Sequence, residues 1–450
     1  MKKNDDVILT ISGMTAEGSG VGRYEGMAVF VPETVEGETV KAHIIKVQKN
    51  YAVGKLIEVI SPCEMRIESD CSVSASCGGC SYRHIMYSHE CEIKYNRVKD
   101  AFNRIGGLDV EVAPIISAVS CEHYRNKAQF PISVNNMGEP IIGFYALRTH
   151  RVVDNGGCKL QPVFFTDIAN IVKKWILNNN VSVYNEAIHS GLLRHLYIRH
   201  AETTGEIMVC LVVNGETVPN STELVSELIR YNDKIVSIQL NVNKDKTNVI
   251  LGSKIITLYG KNYITDEICG VKVRLSAHSF YQVNRTMAEI LYKKAAEFAE
   301  PEDKVVIDLY CGVGTIGLSV ANKAKKLFGV EIVPEAISDA NYNAKANGMS
   351  NTEFMVGDAS LAAKQLTSRN VKADVIILDP PRKGCDSELI KTIATDFAPE
   401  KVVYVSCDPA TLARDCKIFD SLGYKIEKAV PVDLFPRTVH VETIVCLNKQ

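Results

Sequence analysis

The sequence predicts an α/β protein. Its C-terminal part reads as an open, mostly parallel sheet wound with helices, preceded by a small N-terminal β-barrel and a central α+β segment. Three observations carry this. Short β-favouring runs in the last third end in turn at Asp308, Glu331, Asp358, Asp379 and Cys407. The first sixty residues alternate short strand-like runs with Gly18, Gly20, Gly22, Gly26 and Gly37, the texture of a small barrel. Between these parts lies a cysteine-rich stretch followed by mixed helical and strand patterns. At 450 residues the chain is too long for one core. Three domains are expected, over 1–60, 61–262 and 263–450.

Composition excludes several classes. The chain is 46% hydrophobic, 23% charged and 7% aromatic, with a net charge of −2, ordinary for a globular protein. That charge argues against a generic polyanion binder, so any nucleic-acid contact must rest on local positive charge. No apolar run approaches the ~20 residues of a membrane span, and Met1-Lys2-Lys3-Asn4-Asp5-Asp6 does not open a signal peptide. The 14 cysteines are therefore expected to be reduced thiols, metal ligands or catalytic groups in a cytoplasmic protein.

In the barrel, strands are expected over 7–11, 28–31, 40–45 and 52–57. The run Gly13 to Arg23, followed by Val29-Phe30-Val31-Pro32 and Glu36-Gly37-Glu38, resembles the TRAM domain, an RNA-binding barrel. Lys41, Lys46, Lys49 and Lys55 are its candidate phosphate contacts. Next, Cys71, Cys77 and Cys80 place three thiols in ten residues. Gly78 and Gly79 between the last two let the backbone turn both sulfurs toward one centre. Soft thiolates suit zinc or an iron–sulfur cluster alike, and Cys63, Cys91, Cys121 and Cys158 compete as the fourth ligand. A helix is expected over 90–105, with Ile93, Val98, Ala101, Phe102 and Ile105 near one face. The segments 123–130, 143–151 and 193–200 interleave basic and aromatic residues, which suits either unstacked RNA bases or a strand with one solvated face. Residues 193–260 otherwise alternate strands with one helix over 223–231.

The C-terminal third carries the chemistry. After a helix over 287–299, Val305 to Gly317 is a buried strand opening into a glycine turn and a helix, where backbone can approach a cofactor closely. Glu331 ends the next strand ~20 residues on, suited to ribose hydroxyls. The glycines of Cys311-Gly-Val-Gly-Thr-Ile-Gly317 lack dinucleotide spacing and fit better a methyltransferase that binds S-adenosylmethionine. Lys401 to Ser406 reads as the fifth strand, stopped by Pro409, which leaves Cys407 at the ligand-binding edge of the sheet. A buried core cysteine is the plain alternative.

Taken together, Cys-x5-Cys-x2-Cys, Tyr124-Arg-Asn-Lys-Ala-Gln129, Ser279-Phe-Tyr-Gln282-Val-Asn284, Asp308-Leu-Tyr-Cys-Gly312, Asp379-Pro-Pro-Arg382, Ser406-Cys-Asp-Pro409 and His440-Val-Glu442-Thr resemble the bacterial 23S rRNA (uracil-5-)-methyltransferases of the TRAM-containing, iron–sulfur type. The resemblance covers essentially the whole chain. It implies a class I, Rossmann-like methyltransferase domain at the C-terminus behind the barrel and the cysteine-bearing domain. It implies a [4Fe–4S] cluster on Cys71, Cys77, Cys80 and Cys158. It implies an S-adenosyl-L-methionine site at Gln282, Tyr310, Thr315, Glu331, Asp358 and Asp379, with Cys407 as nucleophile and Glu442 as general base. The expected partner is 23S rRNA presenting a flipped-out uridine, met by a monomer without membrane contact. Methyltransferases acting on exocyclic amines share Asp-Pro-Pro but need no cysteine. A tRNA uracil-5-methyltransferase, or an RNA-binding iron–sulfur protein without turnover, are the remaining readings.

Overall fold

The computed structural model describes residues 1–154 and 156–450. Strands β1 (Asp6–Met14), β2 (Gly20–Tyr24), β3 (Met27–Val31), β4 (Thr39–Val47) and β5 (Tyr51–Ser61) close into a barrel in the order β1-β2-β3-β5-β4. Alternate residues such as Val7, Leu9, Ile11, Val29, Val31, Val40, Ala42 and Ile44 fill it. Strand β2 is not foreseen in the sequence because its glycines read as breaks. They are required for packing: a Cβ at Gly20 would strike Thr34, and one at Gly22 would strike Leu9. The barrel is not free-standing. Its 15–19 turn brings Gly18 so close to Val439 and Tyr82 that a Cβ there would lie 2.7 Å from Val439 Cγ1. Of the lysines on its surface, Lys41 is ion-paired with Asp6 at 3.2 Å, so part of the expected positive charge is already neutralised.

Helix α1 spans Tyr87–Asp100 and passes into a wider π-type turn over Ala101–Gly106. Val98, Ala101 and Phe102 are buried as expected, whereas Ile105 is exposed because the wider turn rotates it off the apolar stripe. These residues, and the segment 110–118 beyond them, pack against the edge of the C-terminal sheet: Val112 bridges Ala429 and Ile116 bridges Val432.

The central sheet has seven strands: β6 (Lys127–Val134), β7 (Pro140–Tyr145), β8 (Val152–Asp154), β9 (Leu193–His200), β10 (Ile207–Val213), β11 (Ile235–Val242) and β12 (Lys254–Gly260), in the order β12-β11-β10-β9-β6-β7-β8. Helices α2 (Val163–Asn178) and α3 (Ser221–Tyr231) cover one face. Helix α2 is absent from the sequence reading, although Phe165, Ile168, Ala169, Val172, Trp175 and Ile176 bury at helical spacing. The basic residues of β9 do not form an RNA face. Arg199 is buried and donates to the carbonyls of Ser276 and Ser279 at 2.7 Å each, and Arg194 donates to those of Asn243 and Asp245. A buried guanidinium must satisfy its donors internally, so these arginines brace loops instead.

A hairpin, β13 (Ile264–Ile268) and β14 (Val271–Leu275), leads to α4 (Arg285–Ala299) and the second seven-stranded sheet. It comprises β15 (Val305–Leu309), β16 (Lys326–Glu331), β17 (Thr352–Val356), β18 (Val375–Leu378), β19 (Lys401–Ser406), β20 (Tyr424–Val432) and β21 (Glu442–Lys449). Helices α5 (Thr315–Ala321), α6 (Pro334–Ala346), α7 (Ala359–Ser368), α8 (Ser387–Thr392) and α9 (Pro409–Ser421) alternate with the parallel strands. The order is β17-β16-β15-β18-β19-β21-β20, with β21 antiparallel to both neighbours. Val403 and Val405 face one core while Val402 and Tyr404 face the other. A strand buried on both faces is a continuous apolar run, and that made this sheet readable. The chain reverses direction across the sheet between β15 and β18, so their carboxyl ends flank the crevice where such sheets bind ligands. Among the described residues no helix is long and apolar enough to cross a membrane.

Candidate functional site

Strand β15 ends in Asp308-Leu309, and Tyr310, which follows, adopts a left-handed backbone, φ 68°. That conformation costs a bulky residue roughly 1–3 kcal/mol and persists only where surroundings enforce it. Here it swings the chain into the turn that starts α5. Asp308 is buried. Its Oδ2 accepts from the Gly317 amide at 2.8 Å, while Oδ1 has no partner among the described residues. Burial, with smaller contributions from Asp379 and Glu331, raises its carboxyl to about 8 despite that amide. Across the switch point Asp379 follows β18, and burial raises it to about 7. Phe280, Tyr292, Asp308, Tyr310, Thr315 and Asp379 line one pocket here.

Of the residues expected at the cofactor, Tyr310, Thr315 and Asp379 line this pocket. Thr315 also donates to Tyr292 at 3.4 Å. Glu331 stands at its edge: Oε2 accepts from the Gly312 amide at 3.3 Å and Oε1 from that of Val333 at 3.0 Å. Gln282 is buried on the loop after β14, its carbonyl accepting from Asn126 Nδ2 at 3.0 Å. Asp358 is exposed and caps α7 through the amides of Ser360 and Leu361. A capping role accounts for that carboxylate, although, after burial and Cys385, it adds to the rise of the Tyr310 phenol. Phe280 and Asp308 were not foreseen as pocket residues. Both stand inside motifs already singled out, two residues before Gln282 and Tyr310.

Cys407 follows β19 directly. Asp408 then caps α9 by accepting from the amides of Ala410 and Thr411 at 2.9 and 3.0 Å, and Pro409 starts the helix. The β19–β21 ladder pairs Ser406 with Thr443, so Cys407 and Glu442 are the next opposed positions. Glu442 is 2% exposed. Burial lifts its carboxyl to about 8; Asp379 adds to the rise and Arg382 opposes it. The Cys407 thiol is pushed up to about 11 by burial, then by Glu442 and Asp379, against Arg382. Arg382 meets His440 at 3.3 Å, and burial together with that guanidinium lowers the imidazole to about 4. A neutral imidazole therefore accepts from Arg382. Thiol, carboxylates and arginine thus gather at the carboxyl ends of β18 and β19 and the start of β21.

A second cavity, of about 70 Å³, is lined by Cys71, Cys77, Cys80 and Cys158 together with Arg83 and Arg125. A Cβ on Gly78 would lie 2.9 Å from the Tyr145 carbonyl, so glycine allows this loop to dock on β7. Of the competing fourth thiols, Cys63 packs beneath the barrel and Cys91 lies on α1 beside Ser117. Among the described residues no group of three or more His, Cys, Asp or Glu side chains is arranged to hold a single metal ion. Arg83 Nη2 and Arg125 Nε are buried without partners, so the cavity wall offers unpaired donors.

Comparison with known proteins identifies the family. The family described as tRNA (Uracil-5-)-methyltransferase matches residues 86–450, and the TRAM domain matches residues 6–57. An uncharacterized RNA methyltransferase of Clostridium tetani is 45% identical over 449 residues, covering 100% of this chain and 97% of that protein. One from Halalkalibacterium halodurans is 43% identical over 450 residues, covering 100% and 98%. The solved tRNA (uracil-54, C5)-methyltransferase of Pyrococcus abyssi, in complex with S-adenosyl-L-homocysteine, matches with a TM-score of 0.78. It is 28% identical and covers 98% of this chain and 100% of its own.

Proposed function

Because the chain belongs to the tRNA (Uracil-5-)-methyltransferase family, we propose that it methylates carbon 5 of a uridine in 23S rRNA through a covalent adduct between Cys407 and carbon 6. It is an S-adenosylmethionine-dependent RNA methyltransferase with a TRAM barrel. The observation that carries the mechanism is that Cys407 and Glu442 stand one step beyond the last pair of the β19–β21 ladder, where after burial Glu442 and then Asp379 raise the thiol.

Carbon 5 of uracil is too weak a nucleophile to act unaided. The Cys407 thiolate adds to carbon 6, and the ring electrons move to an enolate that makes carbon 5 nucleophilic. S-adenosylmethionine supplies an electrophilic methyl group, and its sulfur leaves as the neutral thioether. Glu442 removes the carbon-5 proton, the C5–C6 double bond re-forms, and the thiolate is expelled. A thiol raised to about 11 needs help to ionise, and Arg382 is the neighbouring cation that favours the thiolate. Gln282, Tyr310, Thr315, Glu331, Asp358 and Asp379 are the proposed cofactor residues, with Asp308 and Phe280 added from the pocket. A uridine in folded RNA must be turned out of its stack to reach the thiol.

The pocket's electrostatics give a pH test. Asp379, Asp308 and Glu442 are raised to about 7, 8 and 8, so they ionise as pH rises from 6 to 9. A sulfonium favours the ionised forms; the thioether product does not. The preference for S-adenosylmethionine over S-adenosylhomocysteine, measured by calorimetry, should therefore grow several-fold across that range. A ratio independent of pH would remove these carboxylates from the sulfonium's surroundings.

Cys71, Cys77, Cys80 and Cys158 are proposed to hold a [4Fe–4S] cluster. Four thiols spaced around a cavity suit a cluster better than one ion, and the unpaired donors of Arg83 and Arg125 suit its anionic charge. Protein purified without oxygen should carry about four iron and four sulfide per chain. Stoichiometric zinc without iron would overturn this. The choice of RNA has a competing reading, tRNA, favoured by the whole-chain likeness to the Pyrococcus abyssi enzyme. Methylating total RNA from an enzyme-deficient strain with labelled cofactor separates them: 5-methyluridine in 23S rRNA supports the proposal, and label confined to tRNA rejects it.

A further inference from the structure

The segment 433–441 joins β20 to β21 and delivers His440 and then Glu442. It is held by contacts from outside its own sheet. Lys94 on α1 is 1% exposed and spends all three donors. Its Nζ donates to Glu90 Oε1 and Asp433 Oδ1 at 2.7 Å each and to the Phe435 carbonyl at 3.2 Å. Tyr87 donates to Asp433 Oδ2 at 2.8 Å. Glu90 Oε1 also accepts from the Arg437 amide at 2.7 Å. The Arg437 carbonyl accepts from the amides of Ser81 and Tyr82 at 2.9 and 3.2 Å, immediately after Cys80. Tyr124 and Arg97 donate to the carbonyls of Pro436 and Val439 at 2.9 and 2.8 Å.

Two features set this apart from ordinary packing. Arg437 has a φ of 69°, a strained conformation for arginine that survives only when both sides of the residue are held. Glu90 holds its amide, and Ser81 and Tyr82 hold its carbonyl. Its ionic centre, Glu90, Lys94 and Asp433, is also buried, and such groups bring little net stability over well-packed apolar ones. What they do bring is direction, because each bond fixes one group of the segment that ends at Glu442.

We propose that Lys94, with Glu90 and Asp433, is a positioning residue that holds the 433–441 segment so that Glu442 meets carbon 5 of the adduct. Lys94 touches no reacting group and acts only through the segment. The inference rests on the reading of Glu442 as base. The proposed cofactor residues of β15 and β18 lie outside the segment, and the Gln282 loop touches it through one bond, from Asn284 to the Leu434 carbonyl, so loss of the Lys94 anchor should impair proton removal far more than cofactor binding.

The test compares Lys94→Met and the milder Tyr87→Phe with wild type and Glu442→Gln. It measures cofactor affinity, the first-turnover methyl transfer, steady-state turnover and the RNA–protein adduct on a denaturing gel. Lys94→Met is expected to lower kcat by about 10–100-fold, the scale of a misplaced catalytic group, while adduct accumulates. First-turnover methyl transfer and cofactor affinity should stay within about twofold of wild type, well inside that loss. Tyr87→Phe should shift in the same direction by less, and it decides by the same criteria if Lys94→Met does not fold. Normal turnover overturns the inference, as does slowed turnover without adduct. An adduct in Glu442→Gln with none in the anchor variants rejects the positioning role alone. No adduct in Glu442→Gln rejects the base itself.

Discussion

A Cys407→Ala protein is expected to lose methyl transfer by roughly four orders of magnitude or more, the scale on which enzymes lose rate with their nucleophile. No covalent RNA–protein species should form. The residue follows β19 and is half-buried, so a smaller side chain removes little packing. S-adenosylmethionine affinity should stay close to that of wild type, because the pocket of Asp308, Tyr310, Thr315 and Asp379 is untouched. Labelled methyl transfer and cofactor calorimetry on the same preparation check this together. Normal turnover by Cys407→Ala would refute the nucleophile assignment.

The second large effect separates two steps of one reaction. Glu442→Gln should still attack carbon 6 and methylate carbon 5, because neither step needs the base. It should then stall, since the thiol leaves only after the carbon-5 proton is lost. The product is an RNA–protein adduct that survives denaturant, with multiple turnover falling to near zero. Glutamine keeps the shape of a side chain that is 2% exposed and removes a buried carboxyl already lifted to about 8, so the substitution should not threaten the fold. Folded, cofactor-binding Glu442→Gln that yields no adduct would place the base elsewhere.

How much of this was legible in the sequence depended on whether a signal was local. The C-terminal sheet was readable because its strands are buried on both faces, as Val402 to Val405 are, and because each ends in a chemically distinctive residue. Helix α2 was missed because Phe164, Phe165, Ile168, Ile171 and Val172 look β-favouring by type; only their spacing is helical. Strand β2 was missed because Gly20 and Gly22 serve a crowded barrel wall, which no single-strand pattern reveals. The basic residues of β9 suited either RNA contacts or a solvated strand face, yet Arg194 and Arg199 turn inward to carbonyls 49 to 80 residues away. Cys407 and Glu442 were each found by motif. Their nearness came from the antiparallel insertion of β21 between β19 and β20, a feature of topology. The buried anchor of residues 433–441 pairs Lys94 with Asp433, 339 residues apart, and had no sequence signal at all.

The most direct measurement of the central claim uses RNA carrying 5-fluorouridine at the target, incubated with wild-type protein and cofactor labelled in its methyl group. Fluorine cannot leave as a proton does, so reaction through Cys407 should stop after methyl transfer. The expected result is a denaturant-resistant RNA–protein species that carries the labelled methyl and maps by mass spectrometry to Cys407. Full turnover on unsubstituted RNA, with no covalent species on the fluorinated RNA under the same conditions, would contradict it.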